Sequence, residues 1–277
     1  MKRIVNLITF FMMFIPLFAQ NPQRGATPPK PTPRLPDGRV NLGAPAGETG
    51  LWVPPGIVQV SVNPSSVNRA GANTHLPNNI KIEDVPFQPW ARALHEAREK
   101  AFESDEPHTR CKPSGGPRQF ITPYGVEFVE MPDTNRLYIF DIGGPHTFRI
   151  IYMDGRPHPK DFPNDYYGHN VGHWEGDTLV IDSVGYNEKF WFDRGTHPHT
   201  EKLHMIERIT RVDMNNIRYE VTVDDPGAYT SQWSGQFNLR YVPGDELFEY
   251  ICQDNNFAPQ LMLGVLESVD RSSPIVP

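Results

Sequence analysis

The chain has 277 residues, 38% of them hydrophobic, and a formal net charge of −7. With no long basic run, that balance argues against a nucleic-acid-binding surface. Cys111 and Cys252 lie far apart and match no metal-ligand spacing. An even cysteine count in an exported chain favours a disulfide, with two buried free thiols as the alternative. Such a bridge would close a loop of about 140 residues, which chain-entropy arguments value at roughly 3–5 kcal/mol.

Residues 1–20 carry Lys2 and Arg3, then an apolar run from Ile4 to Phe18 that ends at Ala19 or Gln20. This is the pattern of a cleaved secretory signal. A retained anchor is the alternative, but the run is short for spanning a bilayer. The expected location is therefore periplasmic or secreted, with no membrane span after cleavage. Residues 21–84 read as a Pro-rich extended arm followed by Asn- and Ser-rich loops. Residues 85–277 read as one mainly-β domain that opens with a helix over about 89–103. There Trp90, Leu94, Ala97 and Ala101 recur at helical spacing, and Pro89 suits the first turn. His95 lies beside that stripe and is expected to be partly exposed.

From residue 118 the pattern changes to strands. The apolar runs are Val126–Phe128, Leu137–Ile139, Phe148-Ile150-Tyr152, Leu179–Ile181, 203–212, Ile217–Val223, Phe237–Tyr241 and Phe248-Tyr250-Cys252. Turn signals at Asp133–Asn135, Asp154-Gly155, Glu175–Asp177, Asn215-Asn216 and Pro243–Asp245 separate them. Strands in succession with short turns predict an antiparallel meander. A lipocalin-like barrel or a curled sheet would protect its edges, with the helix packed against it. In 217–223, Arg218, Glu220 and Thr222 alternate toward water. The run LYIFDI over 137–142 is apolar on both faces, so the helix or the arm is expected to cover it outside.

Polar residues gather in three places. His158 sits in the turn 154–163. In the segment 166–177, His169 and His173 would share a face if the chain is extended, with Tyr167 close by. In 195–208, His197 and His199 would also share a face, followed by His204 and Glu207. A divalent metal is possible on His197, His199 and His204, but the spacing fits no zinc-helix, zinc-finger or cupin pattern, so no cofactor is favoured. Metal-free acid–base chemistry is the second reading. Histidine exchanges protons near neutral pH, and Tyr167 or Arg194 would steady developing negative charge. Glu207 shares a strand face with Leu203, Met205 and Ile209, where a carboxylate needs a partner. The segment 169–173 is its expected source. Trp174, Tyr186, Trp191 and Trp233 are candidate ligand-contacting aromatics, or else core, and His158 is the candidate polar ligand contact.

The segments EPHTRCKPSGGPR (106–118), DGRPHP (154–159), NVGHWEGDTLVID (170–182), HPHTEKLHMIER (197–208) and VTVDDPGAYTSQW (221–233) resemble an uncharacterised family of exported bacterial proteins. The resemblance spans roughly residues 85–255 and implies no activity or catalytic residues. The GHWEGDTL hairpin resembles strands of lipocalin-like barrels, and Gly50-Leu51-Trp52 is similar to the G-x-W motif of that class. The function expected is an exported lyase or hydrolase acting on a carbohydrate or other small polar-aromatic substrate. Its catalytic set would come from His169, His173, His197, His199, Glu207, Tyr167 and Arg194. The alternative is a non-catalytic, lipocalin-like binder of a small-molecule or glycan ligand. Convergence of the polar clusters on one cavity favours the enzyme; their dispersal around an aromatic cavity favours the binder.

Overall fold

The computed structural model describes residues 29–56, 58–63, 76, 78–101, 105–143 and 147–252. The expected signal segment over 1–20, the first residues of the arm, part of the 61–80 loop and the last turn of the 89–103 helix lie outside them. Nine strands form a closed barrel in chain order, sealed by pairing of the first with the last. They are β1 (Gly50–Val53), β2 (Val126–Met131), β3 (Arg136–Asp141), β4 (Phe148–Tyr152), β5 (His169–Glu175), β6 (Thr178–Val184), β7 (His204–Arg211), β8 (Asn216–Asp224) and β9 (Trp233–Pro243). The one helix of the expected pattern, α1, spans Pro89–Ala101. The mainly-β barrel thus stands, and β8 alternates as its sequence predicts, with Ile217, Tyr219, Val221 and Val223 buried. Among the described residues no helix is long and apolar enough to cross a membrane.

Five features differ from expectation. First, β4 and β5 pair in parallel, so Asp154-Gly155 opens a crossover along the outside of the barrel rather than a hairpin. Second, β4 turns its other face inward: Phe148 is 51% exposed while Arg149 is fully buried. Third, the run Phe248–Cys252 forms no strand, because β1 has already taken the free edge of β9. Fourth, α1 buries Ala91 and His95 and leaves Trp90 46% exposed. His95 is tolerated inside because the Thr196 hydroxyl lies 2.8 Å from its Nδ1 and Phe87 stacks on its ring. Fifth, among the described residues neither the helix nor the arm is seen to cover the outer face of 137–142. Tyr138 and Phe140 pack there against each other and against Phe148.

The barrel is filled, not hollow. Phe120, from the 3-10 turn Gly116–Ile121, enters between Phe128 and Tyr219, and Tyr219 stacks on Phe237. The arm lies on the body and closes one mouth, here the second. There Val40 and Leu42 are buried, and Trp52 Nε1 donates to the Leu42 carbonyl at 2.7 Å. Arg211 stacks over Trp52 and donates to the carbonyls of Asn41 and Gly43. At the opposite, first mouth gather α1, the segment 58–63, residues 105–125 and the β6–β7 loop. A Cys111–Cys252 disulfide, with Cα atoms 5.5 Å apart, anchors the 105–125 segment. It forms because the C-terminal run passes Tyr124, which packs on Tyr250.

Candidate functional site at the first mouth

Strand alternation that points Leu137 and Ile139 into the core carries Asp141 inward at the end of β3. Its carboxylate accepts from Gly143 N–H at 2.8 Å, Ser114 Oγ at 2.9 Å and Thr122 Oγ1 at 3.5 Å. Burial outweighs these donors and pushes the carboxyl up to about 7. Ser114 Oγ also lies 3.1 Å from His108 Nδ1. Burial, with Arg118 adding to it, holds that imidazole down to about 3, so it is neutral near pH 7. His108, Ser114 and Asp141 therefore form a three-membered hydrogen-bonded wire. With Asp141 ionised, Ser114 donates to it and accepts from His108. With Asp141 protonated, every bond can reverse and the imidazole changes tautomer.

Beside the wire sits a charged pair. Arg118 Nε donates to Glu106 Oε1 at 2.5 Å, with both side chains buried. Burial alone would raise the Glu106 carboxyl, but Arg118 holds it below its ordinary value. Arg118 Nη1 and Glu106 Oε2 have no hydrogen-bond partner among the described residues. Arg194 adds a second guanidinium, lowered to about 10 by burial and by the repulsion of Arg118. Tyr167 closes the group, with its hydroxyl 2.6 Å from Thr147 Oγ1 and facing the backbone N–H groups of Ser114 and Gly115. Burial and nearby Asp141 keep that phenol protonated. Gly115 has φ +65°, and a Cβ there would lie 2.5 Å from the Phe190 ring, so glycine lets the backbone pass close to that ring. His108, Thr147, Tyr167 and Arg194 all retain partial solvent exposure, so the cluster reaches solvent and is not a sealed core.

Tyr167 and Arg194 are thus the predicted residues that the structure brings together. The others disperse. His169 and His173 do share a face, but it is the outer one, where exposed His173 pairs with Glu175. His169 meets His158 at 2.8 Å, and Asp182 joins His158 and His204, fastening the crossover to the barrel wall. His199 is buried and spans 3.0 Å to the Phe190 carbonyl. The three histidines considered for a metal therefore have separate partners. Among the described residues no group of three or more His, Cys, Asp and Glu is placed to hold a metal ion.

Glu207 is fully buried, as its strand face predicts, but its partner is Arg149 rather than a histidine. Arg149 grips both carboxylate oxygens, and Tyr219 donates to the carboxylate at 2.7 Å. From the expected segment 169–173 it is Asn170 that takes part, accepting from Arg149 at 2.7 and 2.9 Å. Every charge here is satisfied inside a filled barrel, so Glu207 has a structural role. Of the candidate aromatics, Tyr186 lines this core, Trp191 lies under the Arg98 guanidinium, and Trp233 stacks on His197. Trp174 sits at the second mouth.

His197 has a more suggestive setting. Its Nε2 is 3.1 Å from Ser61 Oγ and its Nδ1 is 2.7 Å from Asp193 Oδ1, the bonding order of a serine hydrolase triad. Yet all three residues are wholly buried, and the imidazole stacks between Phe87 and Trp233. Asp193 spends its other oxygen on Val60 N–H at 2.8 Å. A hydroxyl with no accessible surface meets no substrate. This chain of bonds instead ties the 58–63 segment to the β6–β7 loop.

Sequence reasoning missed Asp141, Ser114, His108, Arg118 and Glu106. The available signal was Asp141 itself, a carboxylate in an apolar run, to which the argument made for Glu207 applies equally. Comparison with known protein families, with curated proteins and with solved structures yields no match.

Proposed function

We propose that this protein is an exported acid–base enzyme acting on a carbohydrate or other small polar substrate at the first-mouth cluster. The observation that carries the reading is the His108–Ser114–Asp141 wire ending on a carboxyl near pKa 7, beside two arginines. A group that titrates near the working pH exchanges protons most effectively in either direction. Arg118 and Arg194 balance Glu106 and ionised Asp141, and Arg118 Nη1, buried without a partner among the described residues, is a donor suited to a substrate carboxylate. Neutralising a carboxylate acidifies the adjacent C–H, so proton abstraction followed by elimination fits better than hydrolysis. In that reaction the wire receives the proton, and the Tyr167 hydroxyl would protonate the leaving oxygen.

The test is a screen of uronate-containing oligosaccharides and phenolic carboxylates, read as formation of the unsaturated product. Asp141→Asn is expected to lower the rate on the order of a hundredfold, and Ser114→Ala to lower it less by interrupting the wire. The rate should rise with pH through about 7, as Asp141 ionises. Exposed His173 serves as the control position. Turnover that survives Asp141→Asn with its pH profile unmoved rules out this site.

A further inference from the structure

We propose that the second mouth is a separate binding site for a small carboxylate carrying an adjacent hydrogen-bond donor, a 2-hydroxy or 2-amino acid. A cavity of about 250 Å³ opens there between the arm and the rim of β2 to β5, with Arg39, Glu130, Arg136, Leu137, Met153 and Trp174 in its wall. Three polar atoms of these residues are shielded from solvent and have no hydrogen-bond partner among the described residues: Glu130 Oε1, Arg136 Nε and Trp174 Nε1. Buried polar groups are ordinarily paired, and three in one small wall mark a surface built for something that pairs them.

The chemistry of the three atoms defines the ligand. Arg136 Nε and the Trp174 indole N–H are both donors, and a carboxylate offers the oxygens to take them. Glu130 Oε1 is an acceptor. Its sister oxygen already receives Arg39 Nη1 at 2.9 Å, which fixes the carboxylate in place. It calls for a hydroxyl or ammonium on the same ligand. Leu137 and Met153 supply an apolar wall for a short side chain, and the volume limits that chain to a few carbons. A 2-hydroxy or 2-amino acid places its donor next to its carboxylate, as these groups require. The site shares no residue with the first mouth, so the inference does not depend on the reaction proposed there.

The experiment is calorimetric titration of the full chain with four probes: 2-hydroxy-4-methylpentanoate, leucine, 4-methylpentanoate and leucinamide. Saturable binding of the hydroxy acid or of leucine is expected, and which of the two binds identifies the donor. Leucinamide, lacking the carboxylate, should bind at least tenfold more weakly, and Arg136→Gln should weaken the acid by a similar factor. Glu130→Gln should erase the preference for the donor-bearing acid over 4-methylpentanoate. Trp174→Phe keeps the ring and removes the N–H, so a several-fold loss is expected even if the Arg136 variant folds poorly. Asp141→Asn should leave the titration unchanged, which separates failure here from failure at the first mouth. No saturable binding of either acid, equal binding of acid and amide, or indifference to both Arg136→Gln and Trp174→Phe overturns the proposal.

Discussion

Arg149→Met should lower the unfolding free energy by about 3–5 kcal/mol, because it strands the Glu207 carboxylate in the middle of a filled barrel. Glu207→Leu should do comparable harm by leaving the guanidinium without its counter-charge. Arg149 is held in its charged form against a large burial penalty by Glu207 in particular, so the two charges exist inside the barrel only together. The double variant Arg149→Met/Glu207→Leu should therefore recover much of the loss, since apolar groups of similar volume need no partner. Tyr219→Phe, which removes one donor to the carboxylate, should cost about 1–2 kcal/mol. Urea unfolding of the four variants measures all of this. Single variants within about 1 kcal/mol of the parent, or losses that simply add in the double, would contradict the pairing.

Acid should unfold the protein steeply between pH 6 and pH 4. Burial holds His95 and His108 down to about 3 and His199 down to about 4. Each stays neutral in the fold and protonates once unfolded. Their stabilising contribution is complete above the unfolded value near 6.5 and is lost as pH falls toward the folded values. Each contributes a slope of about 1.4 kcal/mol per pH unit in that window, less for His108, which solvent partly reaches. Asp141 acts with the opposite sign. Its raised value gives stability below the ordinary carboxyl range that is lost as pH rises through about 7. Three histidines against one carboxyl leave a net fall of roughly 3 kcal/mol per pH unit on acidification. Urea midpoints measured from pH 7.5 to 4.5 test the slope, and His199→Gln should flatten it by about half. A midpoint that stays constant down to pH 4.5 would refute the account.

How much of this was legible in the sequence depended on whether the governing contact was local. β8 could be read directly, because Ile217, Tyr219, Val221 and Val223 alternate with polar residues along one strand. β4 could not: Phe148, Ile150 and Tyr152 look like an inward face until Arg149 is seen to be claimed by Glu207, which lies 58 positions away. α1 was misoriented for a similar reason, since Thr196, which makes His95 acceptable inside, sits 101 residues on. The parallel step after β4 was hidden because Asp154-Gly155 is a sound turn signal wherever it occurs. At the site, Tyr167 and Arg194 were readable as residue types suited to proton and charge transfer. The wire itself joins a 3-10 turn, a glycine-bordered loop and a strand end, and nothing along the chain announces that they meet. The disulfide needed only the cysteine count and the inferred compartment.

The seam between β1 and β9 has a consequence for synthesis. The strand that must receive the seam is made first and its partner nearly last, with Trp52 facing Tyr241 across almost two hundred residues of sequence. A growing chain therefore carries two open sheet edges until Trp233–Pro243 has been made, and such edges are templates for unwanted pairing. Folding should be slow, because loop closure on this scale precedes any gain from the contacts it permits. A chain cut before β9 would lose more than one strand: it would be a curled sheet with both margins exposed. Any factor that binds the growing chain has to keep those margins apart until the last strand arrives.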